Sequence, residues 1–346
     1  MNSGGRRRKA RIWVKGMAVG FGMLLCLVGL CIFAYWSSCP LPKNSDPISV
    51  EISPGASTRD IAAILHENQI IRSRFIFRVI SRGLKADGRM QAGEYCFEPG
   101  IFVWDAIESL VEGKVVYYTL TVREGLCVEE IASLIEERGF GSKDRFLEIA
   151  RNPELVSSFA SPGELEATIY PVEGYLFPDT YNVRKGILEE ELVSMMLKRF
   201  SQVFTKELRD KAKNEGLSVH QASILASLVE KEAMVEEERP LIAAVYINRM
   251  NISMKLDADP TVLYALGRFN GTLLLKELEI DSPYNTYKYA GFPPGPISNF
   301  GKSSLESVLN PADVNYLYFV SKNDGTHAFS RTLSEHHRNV ALYQGH

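Results

Sequence analysis

The chain has 346 residues, a length that predicts about two domains. Its hydrophobic fraction of 45% and charged fraction of 23% are those of a globular protein, which excludes a chain that is disordered or fibrous throughout. Residues 1–16 carry six basic side chains and no acidic one, so the formal charge of −3 for the whole chain leaves −9 for the rest. Such an acidic remainder argues against nucleic-acid binding, because neutralisation of phosphates supplies much of that affinity.

An apolar run follows this basic tail. Residues 17–36 hold no formally charged side chain, and about twenty apolar residues span a bilayer core as a helix. Because the basic residues precede the run, we expect a single-pass anchor with residues 1–16 in the cytoplasm and residues 37–346 outside. The alternative is a cleaved signal peptide, although the run is longer than the usual core of about 7–15 residues.

A proline-rich linker, residues 37–47, precedes a repeated pattern of strand, glycine turn and amphipathic helix. The pattern predicts strands and helices at residues 50–55, 58–65, 93–97, 103–111, 120–125 and 128–135. Strands packed against helices form a small α+β unit, which we place at residues 48–118. The arrangement is similar to the LysM fold, a module that often contacts cell-wall glycan; the alternative is a purely structural repeat.

Cysteine and histidine residues indicate no metal site. Cys96 and Cys127 lie in the exterior part and either form one disulfide or remain single thiols, an alternative that the sequence leaves open. No CxxC pair occurs, and His327, His336 and His337 lack the spacing of metal ligands. We therefore predict neither a metal nor a cofactor.

A helix predicted from Ser218, a suitable N-cap residue, carries two candidate acids. Glu232 lies seven residues after Leu225 and continues the apolar stripe of this helix, whereas Glu230 points away from the stripe. A carboxyl group in an apolar setting keeps its proton to higher pH and can act as a general acid. The alternative is that Glu232 is solvated, as most glutamates are. Two further helices are predicted, at residues 187–200 and, opened by Pro240, at 241–250.

Several common catalytic motifs are absent from the sequence. It contains no HExxH, no GxSxG and no Ser followed three residues later by Lys, which excludes the usual zinc-protease, hydrolase-elbow and penicillin-binding arrangements. Turn-rich segments rich in Tyr, Asn, Asp and Thr occur at residues 257–264, 282–287 and 291–297. Such side chains suit a carbohydrate groove, although loops are polar in any case.

Seven ordered segments of the chain resemble the MltG (YceG-like) family, the membrane-anchored endolytic murein transglycosylases. These segments are residues 173–181, 225–233, 245–249, 259–261, 284–287, 293–297 and 316–320. The resemblance extends over about residues 48–340. It implies an α+β chain with one transmembrane helix, a LysM-like subdomain at 48–118 and a mixed α/β catalytic domain at 119–346 that carries the glutamate-bearing helix.

The resemblance also implies an activity and a location. The expected reaction cleaves the bond between N-acetylmuramic acid and N-acetylglucosamine in nascent peptidoglycan strands, leaves 1,6-anhydro-muramyl ends and limits strand elongation. The protein is expected in the bacterial cytoplasmic membrane, with wall-synthesis enzymes as partners. The alternatives are a non-catalytic peptidoglycan-binding scaffold and a hydrolytic muramidase, which would need a second carboxylate such as Asp259 at about 5–9 Å from the acid.

The family's catalytic glutamate lies in the Glu-Lys-Glu block. Helical phase and the small residue that follows it favour Glu232, and Glu230 is the second choice. The resemblance further suggests substrate contacts, which we assign to Asp259, Tyr284, Asn285 and Tyr287.

Overall fold

The structure is a computed structural model that describes residues 23–25, 28–30, 35, 46–98 and 100–345. These residues form helices and small two-stranded sheets, so the predicted α+β class is confirmed. None of the helices in these ranges is long and apolar enough to cross a bilayer. The predicted span at 17–36 falls largely outside the described residues, as do the basic tail and most of the linker.

The described chain divides into two compact units. Unit 1 contains the residues up to Tyr118 together with Arg184–Gly186, and unit 2 contains Thr119–Val183 and Ile187–His346. Each unit has a core of its own and is described separately.

Unit 1 is built on one antiparallel strand pair. Its elements are β1 Ile48–Ile52, α1 Thr58–Glu67, α2 Arg74–Gly83, β2 Gly93–Phe97 and α3 Val103–Glu112. β1 and β2 pair with Ile48 opposite Phe97 and Ile52 opposite Gly93. Alternate residues of β1 are buried, as a half-buried strand requires. The predicted strands and helices of this unit are confirmed, whereas α2 was not predicted.

Unit 2 is mostly helical. The chain enters unit 2 within β3 Tyr117–Thr121. At the end of β4 Thr180–Arg184 it returns to unit 1 for residues 184–186 and then continues in unit 2. Strands β3 and β4 pair with each other. The other elements are α4 Val128–Glu137, α5 Lys143–Ala150, α6 Pro162–Leu165, α7 Glu189–Val203, α8 Lys206–Asn214, α9 Val219–Glu232, α10 Arg239–Asn251, α11 Asp259–Ala265, α12 Lys302–Leu309, β5 Tyr318–Ser321, β6 His327–Ser330 and α13 Leu333–Tyr343. Single turns of 3-10 helix lie at Pro153–Val156, Glu236–Glu238 and Leu275–Glu279.

Helix α9 lies at the centre of unit 2. Ser218 caps it, because its hydroxyl oxygen accepts the Gln221 N–H at 3.1 Å, and the predicted start of the helix is confirmed. Residues 222–229 are buried without interruption, and α9 packs against α8, α10, α11 and α12. Alanine and serine at four of these eight positions keep the helix narrow, which lets several neighbours approach it closely.

The thiols and imidazoles have ordinary structural environments. Cys96 is exposed, Cys127 is buried, and both are free thiols. The ring of His327 lies 2.7 Å from a carboxylate oxygen of Glu238, and the ring of His336 stacks on Tyr318. Within the part of the chain that the structure describes, no three metal-ligating side chains come together.

Candidate active site

Glu232 is the last residue of α9. The Ala233 N–H still donates to the Val229 carbonyl at 2.9 Å, and the backbone then becomes extended. The apolar side of α9 therefore ends in a carboxyl group at the edge of the core, where the side chain of Glu232 is partly accessible to solvent.

A hydrogen bond from a neighbouring helix holds this carboxyl group. The hydroxyl of Tyr246, on α10, donates to Oε1 of Glu232 at 3.1 Å. Tyr246 is buried, and the ring of Phe319 packs edge-on against it at 6.0 Å between centroids. Because Tyr246 is buried and packs against Phe319, its hydroxyl is held in place and orients the carboxyl group of Glu232.

Burial raises the pKa of Glu232 from its ordinary 4.5 to about 7. The hydrogen bond from Tyr246 and the positive charge of Arg249 partly offset the effect of burial, the negative charge of Asp259 adds to it, and the value of about 7 is the net result. The C-terminal end of a helix disfavours negative charge, so the position at the end of α9 acts in the same direction as burial. Such a carboxyl group can give and take a proton near neutral pH.

Arg249 joins three parts of the site. Its guanidinium donates to the carbonyls of Leu317, at 2.6 Å, and Leu256, at 2.7 Å. It also lies 3.4 Å from a carboxylate oxygen of Asp257. The end of α10 is thereby tied to the segment before α11 and to the segment before β5, and a buried positive charge is fixed near Glu232.

Two of the predicted substrate-binding residues contact each other. Asp259 opens α11 and is exposed, and the hydroxyl of Tyr287 donates to its Oδ1 at 2.5 Å. Burial raises the pKa of Tyr287, so its hydroxyl stays protonated. The charge of Asp259 acts on the pKa of Glu232, and the structure thus brings Asp259, Tyr287 and Glu232 into one site.

Two buried threonines fix the relative position of these segments. The hydroxyl oxygen of Thr286 accepts the Ala258 N–H at 2.9 Å and lies 2.9 Å from the hydroxyl of Thr261. Because Ala258 precedes Asp259 and Thr286 precedes Tyr287, this contact sets the pair of functional side chains beside each other.

The other two predicted substrate-binding residues are buried. The amide of Asn285 donates to the carbonyls of Leu278, at 2.7 Å, and Ile280, at 2.9 Å, and its oxygen accepts the Tyr287 N–H at 3.0 Å. The ring of Tyr284 packs on α11 through Tyr264. Both side chains therefore shape the loop that presents Tyr287, and their direct contact with substrate stays a prediction.

The second-choice acid, Glu230, is occupied by three donors. Its Oε2 accepts the hydroxyl of Ser304 at 2.7 Å and the Gly301 N–H at 3.0 Å, and forms an ion pair with Arg239 at 3.2 Å. Its side chain is 7% exposed. These contacts hold the start of α12 against α9, which is a structural role.

Sequence reasoning missed a buried acid. Glu173 accepts hydrogen bonds from the Val128 N–H at 3.1 Å, the Tyr264 hydroxyl at 3.1 Å and the Asn299 amide at 2.9 Å. Burial raises its pKa to about 8. The next residue, Gly174, has φ +81°, and a Cβ there would lie 2.5 Å from Pro296. The segment 173–181 was recognised as a motif, but a turn has no periodicity from which the burial of one residue could be predicted.

Comparisons with known proteins agree on one family. A model of the YceG-like family matches residues 50–342. An endolytic murein transglycosylase of Bacillus subtilis (strain 168) is 35% identical over 315 residues, which are 88% of this chain and 87% of that protein. An endolytic murein transglycosylase of Streptococcus pneumoniae (serotype 2, strain D39) is 29% identical over 362 aligned positions, covering 95% of this chain but only 65% of its own length.

A solved structure agrees with these sequence matches. The crystal structure of a YceG-like protein from Listeria monocytogenes superposes with a TM-score of 0.60 at 35% sequence identity. The superposition covers 84% of this chain and 98% of that one.

Proposed function

The chain belongs to the YceG-like family, and from this membership we propose that it is an endolytic murein transglycosylase, a lyase that cleaves peptidoglycan strands. The observation that carries the proposal is Glu232, a partly accessible carboxyl group with a pKa of about 7 at the end of a buried helix. A lytic cleavage needs one group that first donates and then accepts a proton near neutral pH, and this carboxyl group has that property.

Glu232 carries both proton transfers of the proposed reaction. Its carboxyl group protonates the oxygen that links N-acetylmuramic acid to N-acetylglucosamine, and the bond from C1 of the muramyl residue to that oxygen breaks. The carboxylate then takes the proton of the muramyl C6 hydroxyl while the C6 oxygen bonds to C1. The product is a 1,6-anhydro-muramyl end, no water is consumed, and Glu232 regains its proton.

The neighbouring residues support these steps. Tyr246 orients the carboxyl group and stabilises its ionised form, and Arg249 holds the segments together. The carboxylate of Asp259, paired with the hydroxyl of Tyr287, is proposed to stabilise the positive charge that develops at C1. We assign both of these exposed or half-buried side chains to substrate binding.

Hydrolysis by a muramidase is the second candidate function. A second carboxylate, Asp259, acts electrostatically on Glu232, and most glycosidases use two such groups. The identity to named transglycosylases favours the lytic reaction, and the products distinguish the two.

The proposal extends to the rest of the chain. Residues 1–16 are a cytoplasmic tail, 17–36 a single membrane-spanning helix and 37–47 a linker; residues 48–118 form a LysM-like subdomain and 119–346 the catalytic domain. The basic tail before an uncharged run supports the anchor. An anchored enzyme would act on glycan strands close to the wall-synthesis enzymes at the membrane and so limit strand elongation.

Mass spectrometry of the products tests the proposed reaction. Purified glycan strands are incubated with equal concentrations of folded wild type, Glu232→Gln or the matched variant Glu230→Gln. We expect anhydro-muramyl ends with wild type and Glu230→Gln, and a loss of about 10²–10⁴-fold in rate for Glu232→Gln. Reducing muramyl ends would indicate hydrolysis instead, and absence of cleavage by folded wild type would favour the non-catalytic scaffold.

A further inference from the structure

The solvent side of α2, in unit 1, carries two large exposed apolar side chains. Phe75 is 69% exposed and Val79 is 52% exposed, and these residues lie one turn apart on the same side of the helix. The opposite side already buries Ile76 and Phe77 in the core of the unit. The exposed aromatic and aliphatic side chains therefore do not serve the core and indicate an interaction surface.

Arginine side chains surround these apolar residues. Arg74, Arg78 and Arg82 recur every four residues along α2, and all three are exposed. Residues 72–90 contain six basic residues and one acidic residue, a formal charge of +5 in a chain whose net charge is −3. The ion pairs Arg74–Glu67 and Arg82–Asp87 lie at the surface, where such pairs contribute little free energy, so both guanidinium groups can exchange these partners for another anion.

A recess of about 450 Å³ lies between α2 and the start of α1. It is lined by Ser57, Thr58, Arg59, Phe75, Arg78, Val79, Arg82 and Asp87. Guanidinium groups present several donors in a plane that matches the oxygens of a phosphate group. The recess therefore combines three guanidinium groups, which suit a phosphate, with the apolar side chains of Phe75 and Val79 and one carboxylate, Asp87.

We propose that the α2 face, which comprises Arg59, Phe75, Arg78, Val79 and Arg82, docks onto a membrane surface that contains anionic phospholipids. Phe75 and Val79 enter the boundary between headgroups and acyl chains, and the arginines bind lipid phosphates, as in other interfacial helices. Uncharged sugar rings would leave the positive charge unused, and a soluble polyanion would leave Phe75 and Val79 in water.

The position of unit 1 in the chain suits this partner. Eleven residues, 37–47, separate the proposed anchor from the first residue of β1, and even a fully extended segment of that length spans only roughly 40 Å. A transmembrane helix by itself keeps a chain at the bilayer. The anchor would therefore hold the headgroups within reach of unit 1, and the α2 face would bind unit 1 to them. This inference does not depend on the reaction assigned to Glu232.

Hydrogen–deuterium exchange of the full chain in lipid nanodiscs tests the proposal. One set of nanodiscs contains phosphatidylcholine alone, and the other contains one part of phosphatidylglycerol to two parts of phosphatidylcholine. We expect amide exchange in residues 72–90 to slow by roughly fivefold or more with the anionic lipid, the factor that one basic side chain near such a surface provides. High salt should remove this protection.

Three variants make the result specific. Arg59→Gln/Arg78→Gln/Arg82→Gln and Phe75→Ser/Val79→Ser should both lose the protection, and all five positions are exposed, so the fold is not at risk. The matched control Lys198→Gln/Lys206→Gln/Lys213→Gln removes three exposed charges from unit 2 and should keep it.

Three results would overturn the proposal. The first is equal exchange of residues 72–90 in both kinds of nanodisc, and the second is loss of protection in the lysine control. The third is protection by added soluble glycan strands in place of anionic lipid, which would assign the α2 face to glycan.

Discussion

Glu230 and Glu232 show how two residues in one helix turn acquire opposite properties. Glu230 faces an arginine, a hydroxyl and a backbone N–H, all of which stabilise a carboxylate. Glu232 accepts a hydrogen bond from the phenol of Tyr246, which does not offset the effect of burial, and its pKa rises to about 7. The first environment holds a side chain in structural contacts, and the second provides a proton that can be exchanged.

This difference predicts opposite effects on stability. Glu230→Gln should lower the free energy of unfolding by about 1–3 kcal/mol, since it weakens the charged contacts at the start of α12. Glu232→Gln should leave the stability at pH 8 equal to or above that of wild type, because it removes a poorly solvated carboxylate and keeps an acceptor for Tyr246. Urea denaturation of both variants measures this; a larger loss for Glu232→Gln would contradict our assignment of roles.

Tyr246→Phe should move the pH profile of cleavage. The hydroxyl of Tyr246 lowers the pKa of Glu232, so its removal raises that pKa above about 7. Because the reaction begins with protonated Glu232, its rate falls as pH rises through this pKa, and the fall should move up by roughly half to one pH unit. The rate of release of anhydro-muramyl ends, measured from pH 5 to about 9, follows the shift.

Tyr170→Phe is the matched control for this change. Its hydroxyl donates to Oε1 of Glu129 at 3.0 Å, so the variant removes a similar bond to another carboxylate of unit 2. We expect an unchanged profile. A profile that moves equally in both variants, or to lower pH in Tyr246→Phe, would show that Tyr246 does not act through Glu232.

At the scale of elements, the sequence predicted what is local and periodic. The strand–turn–helix repeat, the capped start of α9 and the helix opened by Pro240 follow from patterns within about fifteen residues, and all are found. The pairing of β3 with β4 joins segments about sixty residues apart, and no local pattern specifies it. Helix α2 was missed because apolar side chains occupy both of its sides, which obscures the periodicity of a half-buried helix.

For the candidate site, too, the sequence predicted local features but not the contacts that depend on tertiary packing. Helical phase selected Glu232, and the family resemblance indicated Asp259 and Tyr287. The contact of Tyr246 with Glu232 depends on how α10 packs on α9, and the burial of Asn285 depends on a loop closed by backbone carbonyls. Both are tertiary properties, so the sequence did not separate residues that face the site from residues that support it.

Glu173 connects elements that are distant in sequence. Its carboxyl group receives hydrogen bonds from the first residue of α4, from Tyr264 of α11 and from Asn299. Its pKa is about 8 in the folded protein against an ordinary 4.5. Between these values the unfolded chain is ionised and the folded chain keeps the proton, so each unfolding event releases a proton and a rise in pH favours unfolding.

Glu173→Gln should therefore reduce the loss of stability with pH. The amide resembles the protonated acid, so we expect a stability near that of wild type at pH 5 and a gain on the order of a few kcal/mol at pH 8.5. Urea denaturation across this range measures the difference, and Glu137→Gln, at an exposed position of α4, should follow wild type. A difference between Glu173→Gln and wild type that does not change with pH would show that Glu173 is ionised in the folded protein.

At the scale of the whole molecule, positive charge precedes the apolar run and negative charge follows it. The first sixteen residues carry +6 and the rest −9. The uncharged run of residues 17–36 separates the two, and the short segment after it, residues 37–47, holds one lysine and one aspartate. Positive charge on one side of a span favours retention of that side in the cytoplasm, so the reaction proposed for unit 2 would take place on the outer side of the membrane.

The orientation can be tested in spheroplasts of a bacterium that expresses the full chain with an epitope tag before Met1 and another after His346. We expect added protease to digest the exterior part, residues 37–346, together with the C-terminal tag, while the N-terminal tag stays intact until detergent opens the membrane. The intact mass of the undigested protein should include residues 1–36, which cleavage of a signal peptide would remove. Replacement of all six basic residues of 1–16 by glutamine should give a mixture of the two membrane orientations of the protein. A C-terminal tag that is protected in wild-type spheroplasts would place the site in the cytoplasm, away from its substrate, and would contradict both the topology and the proposed cellular role.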